Sequence, residues 1–358
     1  MIIQMINVAY YFILYFILIN LGFSNFNNIP FSIVQSVSIG YEDNFMRFGD
    51  LELDDYHSEF NYLGDSKYYD SAIISPVLQL NLHPKIKGYK TNFILKGKFT
   101  EYTSSNYKSY FNVSGKFELK LKSYNWIKFS YSLTPKYYLR TFVDRDILPL
   151  TYYPCDFSSE SIYLSYSFPI KKIKKTWLDI KLNFNNQFYN EHFTEYDTKI
   201  INLEGSVKSL FFKQYFLSFS SFYAIADNIP YNDNLLSEST KIDRSYIKKG
   251  FKINVKRNFK KYFLSNLSAK LNVSIRDYDM DSWYYFSDNW KRYNETELII
   301  ECSKKINKKT TIQVSGKHFI RNVISSQSNE TLWIEKFKPY SRNELWLRFI
   351  FKFSKSNK

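Results

Sequence analysis

The chain of 358 residues is short of everything that staples, bends or switches a protein: two cysteines, nine prolines, ten glycines and four histidines. Two thiols cannot build a disulfide scaffold. So little glycine and proline excludes collagen-like and low-complexity architectures. Acids are scarce as well, 34 against 49 Lys plus Arg, which leaves a net charge of +15. Only one segment is apolar enough to approach a spanning helix, and it lies at the amino terminus, so a helical membrane bundle is excluded. Aromatics are abundant instead: 33 Phe and 32 Tyr bring them to 20%, beside 23% charged residues. Disordered chains lack that apolar content. What remains is a β-rich protein.

Residues 8–21 form the apolar run, about the length of a signal-peptide core and short for a membrane span. Gly22 and Ser24 stand in the −3 and −1 relation of a cleavage site, so residues 1–24 are read as an export signal and 25–358 as the mature unit. The competing reading is a retained anchor. The segment before the run carries no Lys or Arg, which departs from the usual pattern, and no Cys follows it, as a lipoprotein would need.

Downstream, apolar residues recur at every second position, the period of a strand. Phe111, Val113, Phe117, Leu119 and Leu121 alternate with Asn112, Ser114, Lys116, Glu118 and Lys120. Leu267, Ala269, Leu271, Val273 and Ile275 alternate with Asn266, Ser268, Lys270, Asn272 and Ser274. Strands of soluble sandwiches usually stop at about five or six residues. Here the alternation runs for 11–15 residues, enough for a tilted strand to cross a bilayer. Lys, Asn, Ser and Thr oppose a continuous apolar face, as required when lipid lies outside and water inside.

Six short connections, among them residues 83–88, 171–175 and 305–309, take turns with seven longer ones, among them 45–70, 103–108, 143–159, 190–196 and 228–245. Thirteen connections imply fourteen strands, with both ends of the chain on the short-turn side. The expected fold is therefore all-β: a single antiparallel up-and-down barrel of about 14 strands, within a range of 12–16.

On these residues the chain resembles bacterial outer-membrane β-barrel proteins over about residues 31–353, without pointing to a subfamily. In that superfamily the last strand alternates to a final aromatic that the insertion machinery reads. Leu347, Phe349, Phe351 and Phe353 look like that signal, although five polar residues follow the last Phe. The resemblance implies a place in the outer membrane, contact with its lipid, and the insertion machinery as partner.

Charge divides by position. Acids gather in the longer connections, as in Asp50, Glu52, Asp54, Asp55, Glu59, Asp65 and Asp70. Lysines crowd the short turns, as in Lys171, Lys172, Lys174 and Lys175. If apolar residues face out, nineteen basic and seven acidic side chains face the lumen. A low-dielectric wall focuses such a field and enriches anions. The expected pore lining is Lys96, Lys98, Lys116, Lys120, Lys128, Lys136 and Arg140 on strands three to five, with Glu295, Glu297 and Glu301 on strand twelve. Across a fourteen-strand ring these stripes oppose each other, which would produce a transverse field. Local pairing competes and is favoured: strand-twelve acids with Lys270 or Arg276 on one side and Lys317 or Arg321 on the other.

Other chemistry is thinly represented. His57, His83, His192 and His318 have no nucleophile motif around them, so no enzymatic activity is expected. Asp277, Asp279, Asp281 and Asp288 imitate a calcium loop, but Ser282 replaces its glycine and the last acid is Asp where Glu belongs. No metal, cofactor or nucleic acid is expected, and no oligomeric state is implied. The first functional expectation is a passive channel for small polar solutes, anions foremost. The second, from a different class, is a closed structural or interaction barrel that presents acidic outer loops or scaffolds a surface assembly. Only residues 25–30 lie between the expected cleavage point and strand one, too few for a plug domain.

Overall fold

The computed structural model describes residues 30–49, 52–53, 63–144, 146–147, 149, 151–212, 214–230, 243–259, 263–280, 289–325 and 338–355. The export-signal segment, His57 and several acids of the longer connections lie outside the described residues.

Fourteen long strands follow one another: β1 Phe31–Glu42, β2 Ser71–Leu82, β3 Tyr89–Tyr102, β4 Ser105–Lys122, β5 Asn125–Asp144, β6 Thr151–Pro169 and β7 Thr176–Tyr189. The series continues with β8 Thr198–Phe211, β9 Tyr215–Asn228, β10 Tyr246–Asn258, β11 Asn266–Met280, β12 Asn289–Lys305, β13 Thr310–Ser325 and β14 Tyr340–Lys355. Each pairs antiparallel with its sequence neighbour, and β1 pairs with β14 along its whole length, from Phe31 opposite Lys355 to Glu42 opposite Glu344. The sheet is thus closed and has no free edge. A two-residue bridge, Lys85–Ile86, extends the β2–β3 turn by pairing with the start of β3.

Alternation drives closure because it leaves each strand one face for each environment. Along β9, Leu217, Phe219, Tyr223 and Ile225 are exposed, while Ser218, Ser220, Ala224 and Ala226 between them are buried. Leu164, Ile180, Phe184, Ile201, Leu203 and Val207 continue the exposed apolar face around β6, β7 and β8. This is a soluble protein turned inside out. Apolar area on this scale would cost heavily in water, at about 25 cal/mol per Å². In a bilayer the same face is the stable one, so the fold is that of a membrane-spanning barrel. No helix among the described residues is long and apolar enough to cross a membrane.

Turn chemistry explains the short end. Lys87 and Gly88 both have positive φ, 49° and 80°, the pair of left-handed residues that suits the twist of a two-residue hairpin. Two connections expected to be longer are short here. Residues 103–104 form a tight turn, because β4 starts at Ser105 and pairs back onto Tyr102. Residues 145–150 are all that separates β5 from β6. Around Ser105 polar residues continue the ladder beyond the apolar stretch, and around Thr151 two bulges break the alternation, so the period ends before the strand does.

Bulges adjust the face presented. The β5–β6 ladder shifts between Thr134 and Tyr137 and again between Tyr138 and Arg140. An extra residue reverses the parity of the strand beyond it, so the second shift restores the parity that the first changed. Gly40 is a steric requirement of the seam: a Cβ there would lie 2.4 Å from the indole of Trp346, its partner on β14.

The fold predicts a one-sided response to charge. Leu164→Arg or Leu203→Arg, in the lipid-facing row Leu164–Leu182–Leu203, should cost roughly 2–4 kcal/mol near the midplane. Asn183→Arg, on the opposite face, should cost well under that. Urea unfolding in vesicles checks it, and equal costs on both faces would contradict the barrel.

Candidate functional site: the lumen and its outer mouth

Cross-strand register keeps the mainly polar parity of neighbouring strands on one face of the sheet, opposite the exposed apolar one. Lys96 and Lys98 on β3 line up with Ser114 and Asn112 on β4, and Lys116 with Ser130 on β5. Asn183 and Asn202 face each other from β7 and β8, and Ser206 and Ser220 share a 2.9 Å hydrogen bond between β8 and β9. The wall is therefore lined by short hydroxyl and amide side chains from which long cationic ones project.

Most lumenal acids are held by close cations. Asp179 lies 3.6 Å from Lys128 and 3.4 Å from Lys208. Glu204 takes Lys252 at 2.6 Å. Glu118 is bound by Lys116 and by the Asn92 amide at 2.9 Å. Lys317 bridges Glu297 at 3.1 Å and Glu344 at 3.0 Å, and Arg342 holds Glu42 at 2.9 Å. Local pairing thus accounts for Glu297 and for Glu295, which Arg276 and Arg321 contact from the adjacent strands. The strand-twelve acids therefore do not present a bare anionic stripe across from the lysines.

After those pairs are formed, cations are left over. Lys96, Lys98, Lys120, Lys181, Lys256 and Lys270 have no ion pair among the described residues. Three of them rest on rings instead: Lys98 on Tyr110 at 5.7 Å, Lys120 on Trp126 at 5.4 Å and Lys181 on Tyr163 at 4.4 Å. Glu301 shares a recess of about 480 Å³ near the short-turn end with Lys256 and Lys270, the amide of Asn254 and the hydroxyl of Ser268. Lys136 differs from the rest of the expected lining. It sits at the β5 bulge, 62% exposed, 3.3 Å from Asp156, while the adjacent Tyr137 meets lumenal Tyr110 edge to face.

The long-connection end of the barrel holds what the sequence did not reveal. The segment after β1 folds back inside the barrel. Phe45, Met46, Phe48 and Leu63 are buried against Ile73, Tyr102 and Tyr138, with Tyr110 and Trp346 packed at the margin. These partners come from β2, β3, β4, β5 and β14, so the segment leans on one arc of the wall. Polar ties hold it there. Arg140 grips Glu52 through two hydrogen bonds of 2.9 and 2.7 Å. Arg47 donates to the Tyr137 hydroxyl at 3.1 Å, and Asn44 donates to the Phe48 carbonyl at 2.8 Å and the Ser341 carbonyl at 2.9 Å. Buried Lys108 gives its ammonium to the carbonyls of Tyr138 and Leu139. Arg140, expected to line the pore, thus faces inward but serves as an anchor for this segment.

Sequence parity missed Lys248, Arg342 and Glu42 because each lies past the apolar part of its strand, where alternation has nothing to contrast with. Arg47 and Glu52 belong to a connection and carry no periodic signal at all. Elsewhere, His192 stacks on Tyr153 at 3.7 Å and meets Asp144 at 3.1 Å, while His318 and His83 contact Asn343 and Asn92. Asp277 is taken by Arg292 at 2.5 Å and Lys249 at 3.5 Å. Among the described residues no group of three or more His, Cys, Asp or Glu is arranged to hold a metal ion.

If the folded-in segment narrows the mouth, loosening it should widen the path. Arg140→Ala and Phe48→Ala should each raise single-channel conductance in planar bilayers. The double variant should add less than the sum, since both release one element. Unchanged conductance in both would remove the segment from the permeation path.

No protein-family model matches the chain, and no curated protein matches it. Solved structures of similar shape include an outer membrane channel of Pseudomonas putida F1, at 11% identity over 92% of this chain and 98% of that one, with a TM-score of 0.42. An anion-selective porin from Comamonas acidovorans covers 91% of this chain and 99% of its own at 8% identity, TM-score 0.41. A bacterial polysaccharide outer membrane secretin covers 89% and 98% at 7% identity, TM-score 0.39. At scores below 0.5 these likenesses carry no weight for function, and the assignment rests on the barrel's own faces and charges.

Proposed function

We propose that this chain is an outer-membrane channel through which small polar solutes pass passively, anions more readily than cations. One observation carries the reading: a closed barrel, apolar outside, in which Lys96, Lys98, Lys120, Lys181, Lys256 and Lys270 form no ion pair among the described residues. A fixed positive excess between low-dielectric walls concentrates anions and repels cations. Serine and asparagine between the cations replace part of a solute's hydration without trapping it. The outward row Leu347, Phe349, Phe351 and Phe353 on β14 fits a signal for the insertion machinery, and lipid is the partner of the whole outer face.

A second reading is favoured by the folded-in segment. Phe45, Met46 and Phe48 occupy part of the mouth. A barrel sealed there would serve as a structural or interaction module rather than a conduit.

Planar-bilayer recording decides between them. Under a KCl gradient the wild type should show a reversal potential towards chloride that fades as salt rises, because screening shortens to about 8–10 Å near physiological ionic strength. Changing Lys96, Lys98 and Lys120 to Glu should shift that potential towards potassium. An unchanged potential would mean these lysines do not face the path. No conductance at all would favour the sealed barrel.

A further inference from the structure

Glu295 is over-supplied with cations. Lys248 of β10 reaches it at 2.7 Å, Arg321 of β13 at 2.7 Å and Arg276 of β11 at 3.5 Å. Register explains the convergence. Ser274, Glu295 and Arg321 lie in one cross-strand row, and Lys248 and Arg276 are paired in the next. The other paired lumenal acids among the described residues come closer to balance: Glu204 has one lysine, Asp179 has two, and Glu297 shares Lys317 with Glu344. Three cations against one carboxylate leave a local surplus of about two positive charges.

The surplus faces the lumen in a fixed geometry. Glu295 is nearly sealed, at 6% side-chain exposure, while Lys248, Arg276 and Arg321 keep 24%, 21% and 18%. The Arg276 guanidinium lies over the Tyr246 ring at 4.7 Å, and that of Arg321 lies 4.9 Å from both Tyr293 and Tyr340. The rings hold the guanidinium planes; the Tyr278 hydroxyl takes one Arg276 donor at 3.2 Å and Glu295 takes two of Arg321, so terminal N–H groups of both forks have no acceptor among the described residues. Planar forks with spare N–H groups match the paired oxygens of an oxyanion better than a spherical halide.

We propose that the Glu295 cluster is a lumenal binding station for small oxyanions of the phosphate class, in which Glu295 is a built-in placeholder. Its carboxylate draws the three cations together and limits how tightly a passing anion is held. A station in a conduit must bind well enough to admit a solute and weakly enough to release it. This reading deepens the anion-passing function and rests on it for its purpose, but binding is measurable without flux.

The probe is inorganic phosphate, titrated calorimetrically into the full-length protein in detergent. The wild type should bind saturably, and binding should weaken with added salt. Glu295→Gln should tighten phosphate about tenfold, since one opposing charge is lost within a few ångströms at an intermediate dielectric. Lys248→Gln should weaken it by a similar factor. If Glu295→Gln does not fold, as judged by its strand circular dichroism, Lys248→Gln decides alone. Absence of wild-type binding, or affinity unchanged in the folded variants, overturns the station. Chloride conductance of the same preparation separates the two claims. Conductance without phosphate binding overturns the station and leaves the channel. Phosphate binding without conductance supports the station and overturns the channel.

Discussion

The demand that every backbone amide in a bilayer find a partner governs this molecule. With no water in the hydrocarbon, an unpaired N–H or C=O costs several kcal/mol, and a sheet edge would expose a row of them. The β1–β14 ladder removes that edge, joining residues at opposite ends of the chain from Phe31–Lys355 to Glu42–Glu344. Once the ring is closed, side chains are sorted by parity alone. Outward positions must be apolar along the belt, and inward ones are free to be polar. The Gly40–Trp346 contact on this seam shows how close the fit is, since even a methyl group at Gly40 would strike the indole.

Parity also makes charge cheap in the lumen, where water shares the cost. The chain uses that freedom unevenly. Acids sit where cations from neighbouring strands reach them, in pairs such as Glu204–Lys252 and in the Glu42–Arg342–Glu344–Lys317 chain. Lysines outnumber the available partners, and Lys98, Lys120 and Lys181 turn to Tyr and Trp rings. The two walls are therefore not opposite in sign, as stripes read from the sequence would suggest. Around Glu295 even the wall that carries the acids is positive.

How much of this was legible depended on whether a residue belonged to a repeating pattern. Barrel closure, strand number and the inward set of β3, β4 and β8 follow from period-two alternation, because one slip would turn a whole strand inside out. The strand ends were not legible: β4 begins at Ser105 in a polar stretch, and β6 at Thr151 opposite a twice-bulged strand, so in neither place does hydropathy alternate. Lys136 sits at a bulge that interrupts the count, and bulges leave no mark on composition. The folded-in mouth was invisible for a different reason. Phe45, Met46 and Phe48 form no period, and the wall that buries them is assembled from strands up to 300 residues away along the chain.

That wall has a consequence for assembly. Asn44 bonds the carbonyl of Ser341 across 297 positions of sequence, Trp346 of the final strand packs at the margin of the cluster, and Arg342 holds Glu42 beside it. The mouth segment therefore has its full set of partners only when the last strand has docked on the first. A ring joined in the wrong register would break the Asn44–Ser341 bond and draw Trp346 away from the cluster. The folded-in segment is in this sense a certificate of completion: its contacts with the final strand record that the two ends of the chain have met correctly.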